Sequence, residues 1–183
     1  MLTRSPFIRP CSPTVASVPP IGPGWLHEVK FDGYRVQIHK DGKQVSVFSK
    51  NGNEFTSRYP AVVEAVAKLP TKAVILDAEL TACDAEGSPD FGGLLRKRTN
   101  FLCVWVFDIL FHNGKDLRPL TYVERRQRLE RILSRADSQV VRYSETFPDP
   151  LALSVMSSPG IGRHRLARPR QSNDLHAAVD LIR

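Results

Sequence analysis

Cysteine is scarce in this sequence, and its few copies do not cluster. Cys11, Cys83 and Cys103 are the only three in 183 residues, and they form no C-x-x-C pair. This spacing argues against a zinc site and against a disulfide framework, and it favours a reducing cytoplasm. The five histidines are also scattered, so we expect neither a histidine metal cluster nor a Ser-His-Asp site.

Long apolar runs are missing as well. No stretch approaches the roughly 18 residues of a membrane-spanning helix, so no membrane partner is expected. Residues 1–22 are rich in proline where a signal peptide needs an apolar run, which predicts an extended lead-in.

Acidic residues are outnumbered by basic ones. The sequence has 26 Lys and Arg and 19 Asp and Glu, which gives a formal net charge of +7. That excess suits a polyanionic partner such as nucleic acid without identifying it.

Alternating apolar and polar residues are the main pattern that is present. Residues 33–49 alternate around a K-D-G-K turn with Asp41-Gly42 at its centre, which predicts a two-residue hairpin. Asp77 and Glu79 are two residues apart in another predicted strand and should therefore share one face. The predicted strands are 26–29, the two arms of the 33–49 hairpin, 73–82, 101–111 and 139–147.

Helices are predicted between these strands. Residues 60–69 carry an apolar stripe with Thr56 or Ser57 as the cap, and 121–133 are amphipathic with Val123 among the inward residues. The arginines of E-R-R-Q-R-L-E-R then fall on a solvated helix face or, less favoured, on a DNA backbone. The mixture predicts an α+β fold on an antiparallel sheet, with room for a pocket between two sheets.

The composition changes at about residue 151. Residues 151–183 are rich in arginine, serine and proline and have no clear period apart from a short helix predicted at 175–182. We therefore divide the chain into the lead-in (1–22), one domain (23–150) and an atypical tail (151–183) that is expected to be disordered.

One short motif carries most of the chemical information. Residues 25–35, W-L-H-E-V-K-F-D-G-Y-R, place Lys30, Asp32, Gly33 and Arg35 in a K-x-D-G-x-R pattern. A lysine becomes nucleophilic when desolvation or a nearby cation lowers its pKa from about 10.4. Asp32 could orient the amine, Gly33 would let a phosphate approach the backbone, and Arg35 could hold phosphate oxygens. A solvated lysine followed by an ordinary D-G turn is the competing interpretation.

The motif resembles the nucleotidyl-transfer motif of ATP-dependent DNA ligases. The stretches F-S-K-N-G-N-E-F-T-S-R-Y-P, V-I-L-D-A-E-L, P-D-F-G-G-L-L-R-K-R and V-W-V-F-D-I-L-F follow in the order of that family. From residue 7 to 148 the chain is similar to the adenylation domain of the bacterial end-joining type. The resemblance implies an antiparallel-sheet, ATP-grasp-like nucleotidyltransferase fold. It also implies nick sealing through lysyl-AMP and AMP-DNA in DNA repair and recombination.

The resemblance also assigns roles to individual residues of the motif. Lys30 matches the lysine that attacks the α-phosphate of ATP, with Asp32 as its catalytic neighbour. Glu28 matches the residue that reads the adenine amino group, and Arg35 matches the one that binds ribose and phosphate.

Three residues outside the motif receive roles in the same way. Lys50 stands where many relatives have arginine, and it would bind the nucleotide more weakly because it lacks the bidentate fork. Glu79 matches the carboxylate that contacts ribose and the metal, and Phe107 matches the aromatic that stacks on adenine, although taken alone Phe107 suits a core position equally well. The implied cofactors are ATP and Mg²⁺. The implied partner is nicked or broken double-stranded DNA, bound by a monomer in the bacterial cytoplasm at the nucleoid.

The sequence departs from the family towards its end. The family's E-G-x-V-x-K and K-x-K motifs are not found, and no lysine follows Lys115 and no glutamate follows Glu145. We therefore expect a domain incomplete at its C-terminus, without an OB-fold, with an exposed sheet edge. The alternative function is a catalytically dead nucleotide- or DNA-binding remnant. RNA ligation or mRNA capping is a third hypothesis, and NAD is disfavoured as the adenylate donor.

Four other polar residues receive no role from either argument. His39, His112, Asp77 and Asp108 are expected to make ordinary surface or turn contacts.

Overall fold

The structure is a computed structural model that describes residues 6–12, 14–16, 25–84, 89–90, 93–94, 101–147, 164–167 and 178–181. These residues form strands, mostly paired antiparallel, and two α-helices, which confirms the predicted α+β class. In chain order the elements are β1 (Thr14–Ala16), β2 (Leu26–Val29), β3 (Tyr34–Asp41), β4 (Gln44–Ser49), a 3-10 turn (Thr56–Arg58), α1 (Pro60–Ala67), β5 (Ala73–Cys83), β6 (Pro89–Asp90), β7 (Leu102–His112), β8 (Lys115–Asp116), α2 (Tyr122–Leu133), β9 (Val141–Tyr143), β10 (Thr146–Phe147), β11 (His164–Ala167) and β12 (Ala178–Leu181). No helix in the described part of the chain is long and apolar enough to cross a bilayer.

The strands belong to two sheets. The larger sheet runs β4-β3-β5-β7-β8, with β6 beside β5 and β9 parallel to β7. The smaller sheet runs β1-β12-β11-β2-β10. Because β2 lies in one sheet and β3 in the other, residues 30–33 connect the two sheets.

The larger sheet has an apolar face and a polar face. Alternate residues of β3, β5 and β7 are buried against α1 and α2, including Val36, Ile38, Leu76, Ala78, Leu80, Val104 and Val106. Because side chains alternate along a strand, the residues between them point to the opposite face. Arg35, Asp77 and Glu79 therefore lie together on the polar face, as the sequence predicts for the two carboxylates.

Part of the predicted lead-in lies against this polar face. The backbone of Ile8 exchanges two hydrogen bonds with the Gln37 side chain, at 2.9 and 2.8 Å. The Cys11 carbonyl accepts a hydrogen bond from Arg35 at 2.7 Å. The boundaries at residues 22 and 150 stay predictions, because these contacts do not test them.

Two tight turns connect neighbouring strands of the larger sheet. Asp41 pairs with Gln44, so the loop of the first hairpin is Gly42-Lys43, one residue later than predicted. Gly42 has φ +58°, a left-handed conformation that glycine adopts without strain. Asn113 and Gly114 also have positive φ, which suits the two-residue hairpin between β7 and β8.

The two helices correct three predictions. Neither Thr56 nor Ser57 caps α1, because both lie in the 3-10 turn and Thr56 Oγ1 instead accepts a hydrogen bond from the Val47 amide. In α2, Val123 is exposed. Arg125 and Arg126 are buried, not on the predicted solvated face, because their guanidinium groups find partners inside the protein.

The segment before the tail and the tail itself also differ from expectation. The predicted strand 139–147 is broken into β9 and β10, which join different sheets. Ala178–Leu181 is a strand where a helix is predicted, and β11 pairs antiparallel with β2. β12 pairs with β11 and β1, and the disorder expected for the tail stays a prediction. The rest of 151–183 lies outside the described residues.

Cys83 and Cys103 form a disulfide, which the sequence analysis did not predict. They lie on the adjacent strands β5 and β7, with their Cα atoms 6.3 Å apart. That separation is ordinary for a disulfide. Antiparallel pairing brings together residues that are 20 positions apart in the chain.

Candidate active site

Lys30 lies at the junction of the two sheets. It directly follows β2, it is half-buried, and the next strand begins at Tyr34. Asp32 is exposed in the same connection. The predicted position, at the end of a short strand and just before a hairpin, is therefore confirmed.

Gly33 closes this connection through a tight approach to β5. A Cβ atom at position 33 would lie 2.1 Å from the carbonyl oxygen of Leu80, which is far inside contact distance. The contact with Leu80 explains why position 33 is a glycine, whereas the sequence analysis explained this glycine by the approach of a phosphate. Only glycine lets the backbone beside Lys30 pass so close to β5.

Arg35 forms a two-pronged ion pair with Asp77. Nε and Nη2 of Arg35 donate to the two carboxylate oxygens at 3.1 and 2.8 Å, and both side chains are almost fully buried. Burial works against the charge of Arg35, but Asp77 outweighs it and raises the pKa of the guanidinium. The surface role predicted for Asp77 is wrong, because Arg35 of the neighbouring strand β3, two residues before the direct partner Gln37, supplies a cation diagonally across the ladder. The Arg35 guanidinium group, which is predicted to hold phosphate oxygens, is bonded to the Asp77 carboxylate.

Glu79 and Phe107 complete the cluster on the polar face. Glu79 is half-buried on β5, opposite Arg35 on one side and Trp105 on the other. Phe107 is only 2% exposed, and the Arg35 guanidinium lies 5.5 Å from its ring centroid. This distance is typical of a cation–π contact. The structure therefore brings Arg35, Glu79 and Phe107 together, while their roles in nucleotide binding stay predictions.

Glu28 is held from α2. It is 1% exposed, its Oε1 accepts a hydrogen bond from the Tyr122 hydroxyl, and Nη1 of Arg126 lies 3.8 Å away. Burial, and then the Glu28 carboxylate, raises the pKa of Tyr122 well above its ordinary value. The hydroxyl therefore stays protonated and can donate to Glu28.

Sequence reasoning missed the buried polar positions of α2. The spacing of these residues indicates that they are buried, because they recur every three or four positions on the same helix face as the apolar residues. The buried residues of that face are Tyr122, Arg125, Arg126, Leu129, Ile132 and Leu133. Arginine at such a position predicts a buried partner as readily as a solvated side chain.

Lys50 stands apart from the other predicted site residues. It is exposed just after β4, and β3 lies between β4 and the strand that carries Glu79.

The carboxylates of this face can be tested against the implied magnesium. In the described ranges, no three His, Cys, Asp or Glu side chains converge as a metal site. Mg²⁺ usually keeps several waters and binds through one or two carboxylates together with substrate phosphates. Both oxygens of Asp77 are bonded to Arg35, and Glu79 stays the predicted ligand of such an ion.

A lysine of a K-x-D-G-x-R motif, in the connection between two sheets of an α+β domain, indicates the class of ligase-type nucleotidyltransferase domains. The family model of the ATP dependent DNA ligase domain matches residues 15–148. The chain belongs to this family, which confirms the resemblance inferred from the motifs.

Individual relatives support the same conclusion. The chain is 35% identical, over 187 residues and 93% of its length, to the multifunctional non-homologous end joining protein LigD of Pseudomonas aeruginosa. It is 37% identical to a DNA ligase of Methanococcus aeolicus, over 119 aligned positions that cover 58% of this chain. It spans only 22% and 21% of these two proteins.

Solved structures of ligase domains have the same fold. The ligase domain of M. tuberculosis LigD matches 92% of this chain with a TM-score of 0.71 at 24% identity. A mycobacterial DNA ligase D complexed with ATP and MES matches 92% with a TM-score of 0.66 at 26% identity. The chain covers 59% of each of these structures.

Proposed function

We propose that this chain transfers AMP from ATP to Lys30, the first step of ATP-dependent DNA ligation. The observation that carries the proposal is the place of Lys30, in the connection between β2, which carries Glu28, and the sheet whose polar face holds Arg35, Glu79 and Phe107. In this step Lys30 Nζ forms a bond to the α-phosphorus while the bond from that phosphorus to the bridging oxygen breaks. Pyrophosphate leaves with the electron pair, and the amine gives up a proton.

The surrounding residues would divide the work of binding and orientation. Adenine would reach Phe107 and Glu28 only after neighbouring side chains move, because these residues are 2% and 1% exposed. Phe107 would then stack on adenine, and Glu28 would recognise its amino group. Arg35, oriented by Asp77, would place positive charge beside the nucleotide. Exposed Lys50 would add a weaker contact to the nucleotide, because β3 lies between its strand and the strand that carries Glu79.

The nucleophile needs a proton acceptor and the phosphates need a counter-charge. Asp32, exposed two residues after Lys30, would orient the amine and accept its proton. Glu79 would hold Mg²⁺ on the phosphates, where the ion neutralises charge on the transferring group. A similar mycobacterial ligase D is complexed with ATP, which supports ATP as the nucleotide.

The whole reaction would seal nicked or broken double-stranded DNA in repair and recombination, in the bacterial cytoplasm and by a monomer. The name of the Pseudomonas relative supports the end-joining context. The second candidate is a nucleotide- or DNA-binding module that does not seal DNA. It is favoured by the lack of any lysine in residues 116–183, where the family's K-x-K motif is expected.

Labelling with α-labelled ATP and Mg²⁺ tests the proposal. We expect label on the wild-type protein and on Lys43→Ala, which changes an exposed lysine of the hairpin loop, but none on Lys30→Ala. γ-Labelled ATP should leave the protein unlabelled, and excess unlabelled GTP should not compete, which excludes capping. An unlabelled wild type contradicts AMP transfer. Binding of nicked duplex by that protein would then support the second candidate.

A further inference from the structure

Phe31, the residue after Lys30, is held by aromatic stacking on Trp105. The Phe31 ring lies on the Trp105 ring, with centroids 4.2 Å apart and planes inclined by 11°. Residues 30–32 belong to neither sheet, so backbone pairing does not fix their place. The Phe31 side chain is therefore a tertiary contact of this connection, directly after Lys30.

Trp105, which is half-buried, makes two further contacts besides the stack. It lies in β7, opposite Glu79 of β5, and its indole Nε1 donates a hydrogen bond to Thr81 Oγ1 at 3.0 Å. The Arg142 guanidinium lies 5.3 Å from the ring centroid. A ring bonded at its edge and covered by a cation is a rigid support for Phe31.

We propose that Trp105 is a positioning residue for Lys30, which acts by holding Phe31 against the larger sheet. Gly33 anchors one end of the connection to β5, and the stack anchors it directly beside the nucleophile. The inference rests on AMP transfer to Lys30 as the proposed function. In this inference Trp105 sets the direction from which the Lys30 amine approaches the α-phosphate, and Trp105 does not contact the nucleotide.

Kinetics separate positioning from nucleotide binding. We expect Trp105→Ala to lower the maximum single-turnover rate of adenylylation about tenfold or more, as for other misplaced reacting groups. The ATP concentration that gives half of the maximum rate should stay unchanged. Trp105→Phe, which keeps a ring for stacking, should recover most of the rate. Phe101→Ala, which removes an exposed aromatic side chain just before β7, should match wild type.

A double-mutant cycle tests whether Trp105 acts through Phe31. Phe31→Ala should lower the rate as much as Trp105→Ala, and the double variant should be no slower than either single one. Additive losses would overturn the inference. A shifted ATP half-saturation with an unchanged maximum rate would also overturn it, because Trp105 would then bind the nucleotide.

A second measurement keeps the inference testable if the protein does not react with ATP. Trace acetylation with acetic anhydride, followed by mass spectrometry, reports how each lysine is presented. In Trp105→Ala, half-buried Lys30 should become more reactive, towards exposed Lys43, while buried Lys40 stays protected. Unchanged Lys30 acetylation would overturn the positioning role. Should Lys40 become reactive, the variant has unfolded, and Trp105→Phe and Phe31→Ala decide the question instead.

Discussion

Arg125 of α2 and Asp108 of β7 form a two-pronged ion pair that is completely shielded from solvent. Nε and Nη2 of Arg125 each lie 2.8 Å from one carboxylate oxygen. Arg125 Nη1 also donates to the Leu120 carbonyl at 2.8 Å, and the Ile109 amide donates to Asp108 at 2.8 Å. The pair ties α2 to β7, and the same helix supplies the two side chains that hold Glu28. The surface role predicted for Asp108 is wrong, because its partner comes from another element.

Removing one member of this pair should destabilise the fold strongly. Arg125→Leu leaves a buried carboxylate without its cation, and we expect a loss of about 3–5 kcal/mol in the free energy of unfolding. Urea denaturation measures it. Arg118→Leu is the matched control, because its pair with Asp116 is about half exposed and should be worth less than about 1 kcal/mol. Equal losses in the two variants would show that burial of the pair does not matter.

Alanine substitutions at two glycines separate the effect of the backbone path beside Lys30 on adenylylation from the effect of a general loss of stability. In Gly33→Ala the new methyl group would meet the Leu80 carbonyl at 2.1 Å, so the connection must move. We expect a loss of about 1–3 kcal/mol in stability from this overpacking, together with loss of adenylylation. Thermal unfolding and label incorporation measure the two effects.

The control for that variant is Gly42→Ala. Gly42 has nothing within 4 Å of a built Cβ, but its φ of +58° strains any other residue. This change should cost about 1 kcal/mol of stability and leave adenylylation intact. Loss of labelling in both variants would point to stability alone as the cause.

The imidazole of His112 should make stability depend on pH. Burial, and then Arg128, lowers the pKa of His112 below its ordinary value. As pH falls through about 6.5, the unfolded chain takes up the proton first, so the free energy of unfolding decreases. Urea titrations at pH 7.5 and 5.5 should show a smaller decrease in His112→Gln than in wild type. An identical decrease in both proteins would contradict the assignment.

The cysteine pair can be counted directly. Protein denatured without reductant should present one thiol to a chromogenic disulfide reagent, that of Cys11, and three thiols after reduction. Cys11→Ser should present none before reduction. Three thiols in unreduced wild type would support the reducing setting predicted from the sequence instead.

Local patterns were sufficient for the parts of the site that lie within one strand or one turn. The alternation of residues 33–49 placed β3 and β4, and the period of two put Asp77 and Glu79 on one face. The K-x-D-G-x-R motif placed Lys30 between two strands. These features depend on backbone geometry and on neighbours only a few positions away, so a sequence is enough to predict them.

The sequence by itself determined the family, the position of Lys30 between two strands and the class of fold. Only the tertiary structure decided which charges are paired. Arg35 meets Asp77 across 42 positions of sequence, and Arg125 meets Asp108 across 17. Gly33 is required by the Leu80 carbonyl of another strand, and Trp105 of β7 stacks on Phe31, which precedes β3. Whether a charge or a ring is buried depends on partners that folding brings together, and no local pattern records them.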